Sequence, residues 1–303
     1  MIEFLPLDPK RREEYDRLLQ WAGERGCEYS FVNLYMWGRQ KAAFLNGQLV
    51  FFSQFNRKSV YLYPVGPGDK KATLEAIMED AAQRGIPCRF TGMVEGDKEE
   101  LEGLFPGKFR FHSDRDSYDY IYSIEDLAEL KGRKFQRKRN HLNRFRDAHP
   151  NHSLEPITDE NIREVEELVA TWYDLRLQQD PHADFLMERA ALKKAMDQRK
   201  LLGLEGLLLR VDGKPVAMTM GSRLNPDTFD IHFEKALEIA DGAYGAINNG
   251  FARYLREKYP QLRYLNREDD LGLEGLRKAK LSYNPDHMIE KSWTCLLEDG
   301  YAY

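Results

Sequence analysis

The stretch Thr228–Lys235, TFDIHFEK, alternates apolar and titratable residues. At strand spacing, Asp230, His232 and Glu234 share one face while Phe229, Ile231 and Phe233 share the other. A row of titratable side chains on a strand needs polar partners. An imidazole or carboxylate placed there could take a proton from an attacking amine or hydroxyl. The residues that follow, ADGAYGAIN, set glycines at the opening of a helix. Backbone N–H groups at such a start can hold a phosphate or carboxylate. Gly242, Ala243, Tyr244 and Gly245, with Lys235 beside them, are therefore candidates for gripping the carrier end of a donor. The competing reading is a buried network in which the three strand residues satisfy one another and the loop at 267–270.

A second dense patch is YLNREDDLGLEGLRKAKLSYNP. Asn266 closes a strand, Arg267 to Asp270 form a charged loop, and Glu274, Arg277, Lys278 and Lys280 lie on the next helix. Asn266, Arg267 and Lys278 are candidates for donor binding or charge stabilisation. Glu274 and Lys278 stand at i,i+4, the spacing of a plain surface pair. Asp230, His232 and Asp270 have no spacing that specifies a metal, and no metal site is expected.

The third feature is KGRKFQRKRNHLNRFR, residues 131–146, with eight basic residues and no acid. The chain as a whole has 45 Lys and Arg against 50 Asp and Glu, a net charge of −5. The basic segment is thus a local feature, which argues for a local anionic partner. On a helix, Arg133, Arg137 and Arg144 make a solvated row opposite Phe135, Leu142 and Phe145. Lys131, Lys138, Arg139 and Arg146 fall on the apolar side. They either snorkel to water or line a groove that holds a polyanion.

Elements that could position these residues repeat along the chain. Each half reads strand, two helices, three-stranded meander, helix, strand, helix, strand, with turns Asn46-Gly47 and Asp212-Gly213 at matching places. The reading is two tandem α/β domains, residues 1–150 and 151–303, each a mixed sheet with helices on both faces, an acyl-CoA N-acyltransferase (GNAT)-like layout. The first would end in the basic helix and the second would carry the active site. Three distant cysteines fit neither a disulfide framework nor a metal motif. No apolar run approaches membrane-spanning length and no signal peptide is evident, so a cytoplasmic protein is expected.

Four segments together, SFVNLYMW, LKGRKFQRKRNHLNRF, HFEKA with DGAYGAIN, and YLNREDDLGLEGLRKAKLSYNP, resemble the soluble relatives of the phosphatidylglycerol lysyltransferase C-terminal domain. The resemblance implies tandem acyltransferase-type domains, akin to the peptidoglycan-bridge aminoacyl transferases. It also implies transfer of an amino acid from aminoacyl-tRNA to an acceptor, without the membrane-spanning half that presents lipid. Because the likeness runs through FEK, Glu234 is preferred to His232 as the base. The expected activity is acyl or aminoacyl transfer from aminoacyl-tRNA or acyl-CoA to an amine or hydroxyl, with no tightly bound cofactor. The alternative is a non-catalytic module that binds RNA or a phosphorylated metabolite.

Overall fold

Two-residue turns with both central residues at positive φ set the frame of each half. Asn46 and Gly47 lie at 50° and 74°, and Asp212 and Gly213 at 48° and 79°. These are the backbone values whose twist matches flanking antiparallel strands. The computed structural model describes residues 1–55 and 58–299. Its strands are β1 (Leu5–Pro6), β2 (Gln40–Leu45), β3 (Gln48–Phe55), β4 (Lys58–Val65), β5 (Arg89–Met93), β6 (Phe109–Ser113), β7 (Asp119–Ser123), β8 (His152–Pro156), β9 (Glu205–Val211), β10 (Lys214–Arg223), β11 (Thr228–Ala236), β12 (Tyr264–Asn266), β13 (His287–Ile289) and β14 (Ser292–Leu296). Its α-helices are α1 (Arg12–Leu19), α2 (Phe31–Trp37), α3 (Lys70–Arg84), α4 (Glu95–Leu104), α5 (Ile124–Glu129), α6 (Gln136–Ala148), α7 (Ile162–Gln179), α8 (Leu186–Asp197), α9 (Arg199–Leu202), α10 (Ala243–Lys258) and α11 (Glu274–Leu281).

The strands form two seven-stranded sheets, ordered β1-β2-β3-β4-β5-β14-β6 and β8-β9-β10-β11-β12-β7-β13. Each contains a parallel pair, β4 with β5 and β11 with β12. The chain divides into two compact units. One comprises residues 1–119, 269–273 and those from 288 onward; the other comprises 120–268 and 274–287. This differs from a break near residue 150. The consecutive strands β6 and β7 are split, β6 staying in the first sheet and β7 entering the second. The last two strands part in the same way, β13 joining the second sheet and β14 the first. Hydrophobic pattern alone does not say which sheet a strand completes, because any apolar strand can fill a sheet interior.

In the first unit the core gathers Val50, Tyr61, Leu74, Ile77, Phe90 and Leu101 between sheet and helices. Buried Lys291, just before β14, pairs with Asp119 and Glu28 at 2.7 Å each. Burial opposes its charge, but those carboxylates hold the ammonium well above its ordinary range. In the second unit Phe229 and Phe251 meet edge to face at 5.7 Å, joining β11 to α10. Phe229, Ile231 and Phe233 of β11 are all buried, but so are Asp230 and His232 between them, and a register shift at His232 interrupts the expected alternation.

Candidate functional site: the opening between β11 and β12

The parallel register of β11 and β12 ends at Asp230 opposite Asn266. Beyond that point the next residue, Arg267, reaches back to β11, and its Nη2 donates to Glu234 Oε1 at 2.9 Å. Asn248 of α10 donates to the other oxygen of the same carboxylate at 3.4 Å. The guanidinium lies 5.7 Å from the Tyr122 ring centroid and 5.3 Å from that of Tyr283. Burial opposes its charge, yet Glu234 and the two tyrosines keep it firmly protonated. Arg267 Nη1 and Asn248 Oδ1 are both buried with no hydrogen-bond partner. A free donor and a free acceptor on two sides of one carboxylate are costly unless a ligand meets them.

The loop bearing Arg267 is held from behind. Lys280 of α11, itself buried, donates to the carbonyl oxygens of Arg267 and Glu268. Tyr122 on β7 donates its hydroxyl to the Lys280 carbonyl at 2.8 Å. Asn266 Oδ1 accepts the Glu268 N–H at 2.7 Å and supports the positive φ of 54° at that residue. Asn266 therefore shapes the loop with the side chain that sequence reasoning assigned to a donor.

Lys138 of α6 enters the same cluster, its Nζ 3.6 Å from the centroid of Tyr283. Burial, then Arg267 and Arg137, pull its pKa down to about 8. A Cβ added at Gly245 would lie 3.7 Å from the Tyr283 hydroxyl, so the first turn of α10 faces this ring. Lys138, Arg267, Glu234 and Gly245, proposed from separate motifs, are thus brought together. Tyr283, Asn248 and Tyr122 were missed. The signal for Asn248 is its place in the apolar run AINNGF of a helix, where an amide must find a partner.

His232 takes a different part. Its Nε2 lies 2.8 Å from Ser222 Oγ and its Nδ1 3.0 Å from Glu268 Oε1, with Asp230 Oδ2 at 3.5 Å. With Nδ1–H donating to Glu268, Nε2 is left to accept the serine hydroxyl. The register with β10 shifts here: Met220 faces Phe233 and Gly221 faces Ile231, so His232 is the extra residue of a bulge on β11. Gly221 is required there, since a Cβ would meet the Asp230 carbonyl oxygen at 2.1 Å. The serine, histidine and glutamate stand in line as a nucleophile, base and orienting acid would. Ser222 and His232 are nonetheless buried, at 1% and 9% exposure, and bonded to one another.

Other expected site residues are placed as follows. Gly242 caps α10 at φ 88°, where a Cβ would press on Phe145 of α6 at 3.1 Å. The Ala243 N–H donates to the Ala240 carbonyl at 3.0 Å, within the turn. Tyr244 accepts the indole N–H of Trp172 at 3.1 Å. Lys235 is buried, salt-bridged to Glu188 at 2.6 Å and set 3.9 Å over the Trp172 ring. Burial lowers its pKa. Lys278 is exposed and meets Glu274 at 3.3 Å, the plain surface pair.

The four cations expected to line one groove separate. Lys131 precedes the helix, exposed beside Glu129 at 3.5 Å. Arg139 donates to the carbonyls of Leu130 and Gly132, tying the turn that opens α6. Arg146 is exposed at the rim of a cleft floored by Leu142, Leu154 and Leu207. Only Lys138 of the four joins the Arg267 cluster. The 3₁₀ turn at Arg133–Phe135 takes Lys131 off the wheel of α6, and within α6 the carbonyls of Leu130 and Gly132 claim Arg139.

Residues 20–295 match the family described as phosphatidylglycerol lysyltransferase, C-terminal. The chain belongs to that family. A solved structure of a conserved protein of unknown function from Bacteroides thetaiotaomicron VPI-5482 has a TM-score of 0.92 at 41% identity, covering 98% of this chain and 100% of that one. The structure of L-PGS from Bacillus licheniformis has a TM-score of 0.67 at 18% identity, covering 96% and 93%. A tandem GNAT protein from the clavulanic acid biosynthesis pathway has a TM-score of 0.53 at 12% identity, covering both chains fully. These last two show a shared fold. This lysyltransferase-family chain therefore carries the mixed α/β, tandem GNAT-like architecture of a transferase family. Among its described residues, no helix is long and apolar enough to cross a membrane.

Proposed function

We propose that the chain transfers an aminoacyl group from a carrier ester to an amine or hydroxyl acceptor where β11 and β12 cease to pair. The observation that carries this reading is the Glu234–Arg267–Asn248 cluster, with one buried donor and one buried acceptor left open beside the first turn of α10. Family membership favours aminoacyl-tRNA as donor; a CoA thioester is the alternative carrier.

The chemistry follows from those groups. The acceptor's lone pair attacks the donor carbonyl carbon while Glu234 takes the proton released from the acceptor. The carbonyl electrons move onto oxygen, where Arg267 Nη1–H stabilises the developing negative charge. Collapse re-forms the carbonyl and breaks the bond to the carrier oxygen, which leaves with the proton returned from Glu234. Asn248 Oδ1 accepts a hydrogen from the ammonium or hydroxyl of the bound aminoacyl end. Glu234 is preferred to His232 as the base because its carboxylate adjoins the unbonded Arg267 Nη1 and Asn248 Oδ1, whereas His232 is bonded between Ser222 and Glu268.

The test is loss of label from a mixed pool of aminoacyl-tRNAs, and separately from acetyl-CoA, in the presence of millimolar primary amines. Label should move to the amine in one of the two arms, and Glu234→Gln should slow it by roughly 10² or more. Retention of either carrier without turnover in wild type would instead indicate a binding module.

A further inference from the structure

We propose that the surface around Trp172 docks a basic, amphipathic polypeptide segment, and that this polypeptide supplies the acceptor amine. The docking stands on the surface alone; only the acceptor role rests on the transfer reading.

The argument starts from apolar side chains left in water. Among its described residues the second unit exposes eight large apolar side chains, and four of them belong to one patch: Leu175, Leu186, Ile239 and Tyr244. Leu186 and Ile239 are 76% and 75% exposed, more than any of the other six. Trp172 of α7 links the four. Its ring centroid lies 5.8 Å from that of Phe185, the neighbour of Leu186, and its indole N–H donates to the Tyr244 hydroxyl. Arg176 lies 5.2 Å over the same ring and holds Glu238, the neighbour of Ile239, at 3.3 Å. Leu175 follows Trp172 by three residues on α7, which sets both on one side of that helix. A contiguous apolar patch marks an interaction site where single exposed leucines do not.

The charges around the patch select the partner. Five carboxylates, on Asp180, Asp184, Glu188, Glu238 and Asp241, stand against three cations, Arg176, Lys235 and Arg189. Arg176 is held by Glu238, and Lys235 by Glu188 at 2.6 Å. Asp180, Asp184 and Asp241 have no ion-pair partner among the described residues, and Arg189 lies instead over the Tyr173 ring at 5.2 Å. An apolar centre with an acidic rim repels RNA and the anionic face of a bilayer. It complements lysines and arginines that flank an apolar stripe, the pattern of a basic amphipathic segment.

The patch adjoins the reacting groups through two pairs of neighbours in the chain. Glu234 bonds Arg267, while Lys235, next on β11, rests 3.9 Å over Trp172. Gly245 faces the Tyr283 hydroxyl, while Tyr244, just before it on α10, bonds Trp172. A segment seated on Trp172 therefore presents its lysine side chains beside the end of β11, one residue from Glu234.

The experiment reads docking without turnover. A fluorescein-labelled peptide of repeated Leu-Lys-Lys-Leu units should gain anisotropy on adding the protein, and its Leu-Glu-Glu-Leu counterpart should not. Added salt should weaken the binding, because the rim carboxylates are exposed. Leu186→Ser with Ile239→Ser should raise the Kd by about tenfold or more through lost apolar burial. Leu201→Ser, at an exposed leucine on α9, should leave it unchanged. Both variants should keep the Tm of wild type, since the three side chains are on the surface. In the transfer assay the peptide should serve as acceptor, and the double variant should raise its KM while leaving transfer to a small amine intact. Equal binding of the two peptides, or equal Kd in wild type and the double variant, would overturn the docking surface. Absence of peptide binding would overturn it too; binding to phosphatidylglycerol–phosphatidylcholine vesicles, or self-association, lost in the double variant would then assign the patch to lipid or to a second copy. Peptide binding with transfer only to the small amine would remove the acceptor role. Peptide binding without transfer from either carrier would keep the docking surface and sink the proposed function. Transfer to a small amine without peptide binding would do the reverse.

Discussion

Arg267 crosses the gap where β11 and β12 cease to pair and bonds Glu234 at 2.9 Å, four residues beyond the last paired position on β11. The pair sits where the two parallel strands cease to pair and places a largely enclosed charge pair there. Holding it there takes Lys280 behind the loop and Tyr122 and Tyr283 beside the guanidinium. The ion pair and its cradle suggest distinct consequences for each side chain.

Arg267→Lys keeps a cation but loses the fork, so it cannot bond Glu234 and present a second nitrogen at once. Transfer should fall by roughly 10² in kcat, the scale of losing one oxyanion donor, with a smaller change in KM. Arg267→Met should also lower stability, because it leaves Glu234 without its ion-pair partner. A kcat unchanged in Arg267→Lys would remove the guanidinium from the chemistry.

The line of Ser222, His232 and Glu268 is expected to be structural. Ser222→Ala should cost about 1–3 kcal/mol of stability through the lost partner of His232, seen as a lower urea midpoint, and leave the transfer rate within about twofold. A fluorophosphonate should not label Ser222 in the native protein. Labelling there would show that the enclosed hydroxyl is reachable and would reopen a hydrolytic role.

Lys138 makes the stability of the empty protein depend on alkaline pH. Its folded pKa of about 8 lies below the unfolded value near 10.4. Below pH 8 both states hold the proton and the folded state carries the full penalty. Between 8 and about 10.4 the folded lysine releases its proton while the unfolded one keeps it, so the penalty fades as pH rises. Lys138→Met should therefore be more stable than wild type at pH 7, with that advantage shrinking by pH 10. Denaturant midpoints at the two pH values give the comparison. A constant difference would mean that the enclosed ammonium is not the source.

Much of the frame was legible because local rules settle it. The strand at TFDIHFEK, the Asn-Gly and Asp-Gly turns, and the helix at Ala243–Lys258 follow from periodicity and turn chemistry. Arg267 and Lys138 were each singled out, but their meeting was not legible. It depends on Tyr283, a residue 145 positions from Lys138, which no local rule connects to a basic helix. The single polyanion face failed for the opposite reason, since carbonyl oxygens at Leu130 and Gly132 claim Arg139 before any ligand can. The bonding of His232 to Ser222 and Glu268 was not legible either, since alternation on a strand says nothing of which distant side chains it meets.

The least legible feature, the path of the two exchanged strands, gives the last prediction. In the first sheet β14 lies between β5 and β6, with Thr294 opposite Phe90 on one side and Phe111 on the other. In the second sheet β7 pairs with β12, Leu265 opposite Tyr122 and Asn266 opposite Ile121. A cut at residue 150 thus removes β14 from the first sheet and β7 from the second, exposing unpaired interior edges in both. The fragment 151–303 also lacks Tyr122, whose ring backs Arg267 and whose hydroxyl holds the Lys280 carbonyl. Expressed alone, that fragment should show no cooperative urea transition by circular dichroism. The fragment 114–290, which keeps β7 and α6 with the whole second unit, should unfold cooperatively. It should also keep an amine at Lys138 that titrates near 8, because Tyr283 and Arg267 both remain. A two-state transition from 151–303 would show that β7 is dispensable and that the opening beside Arg267 assembles without it.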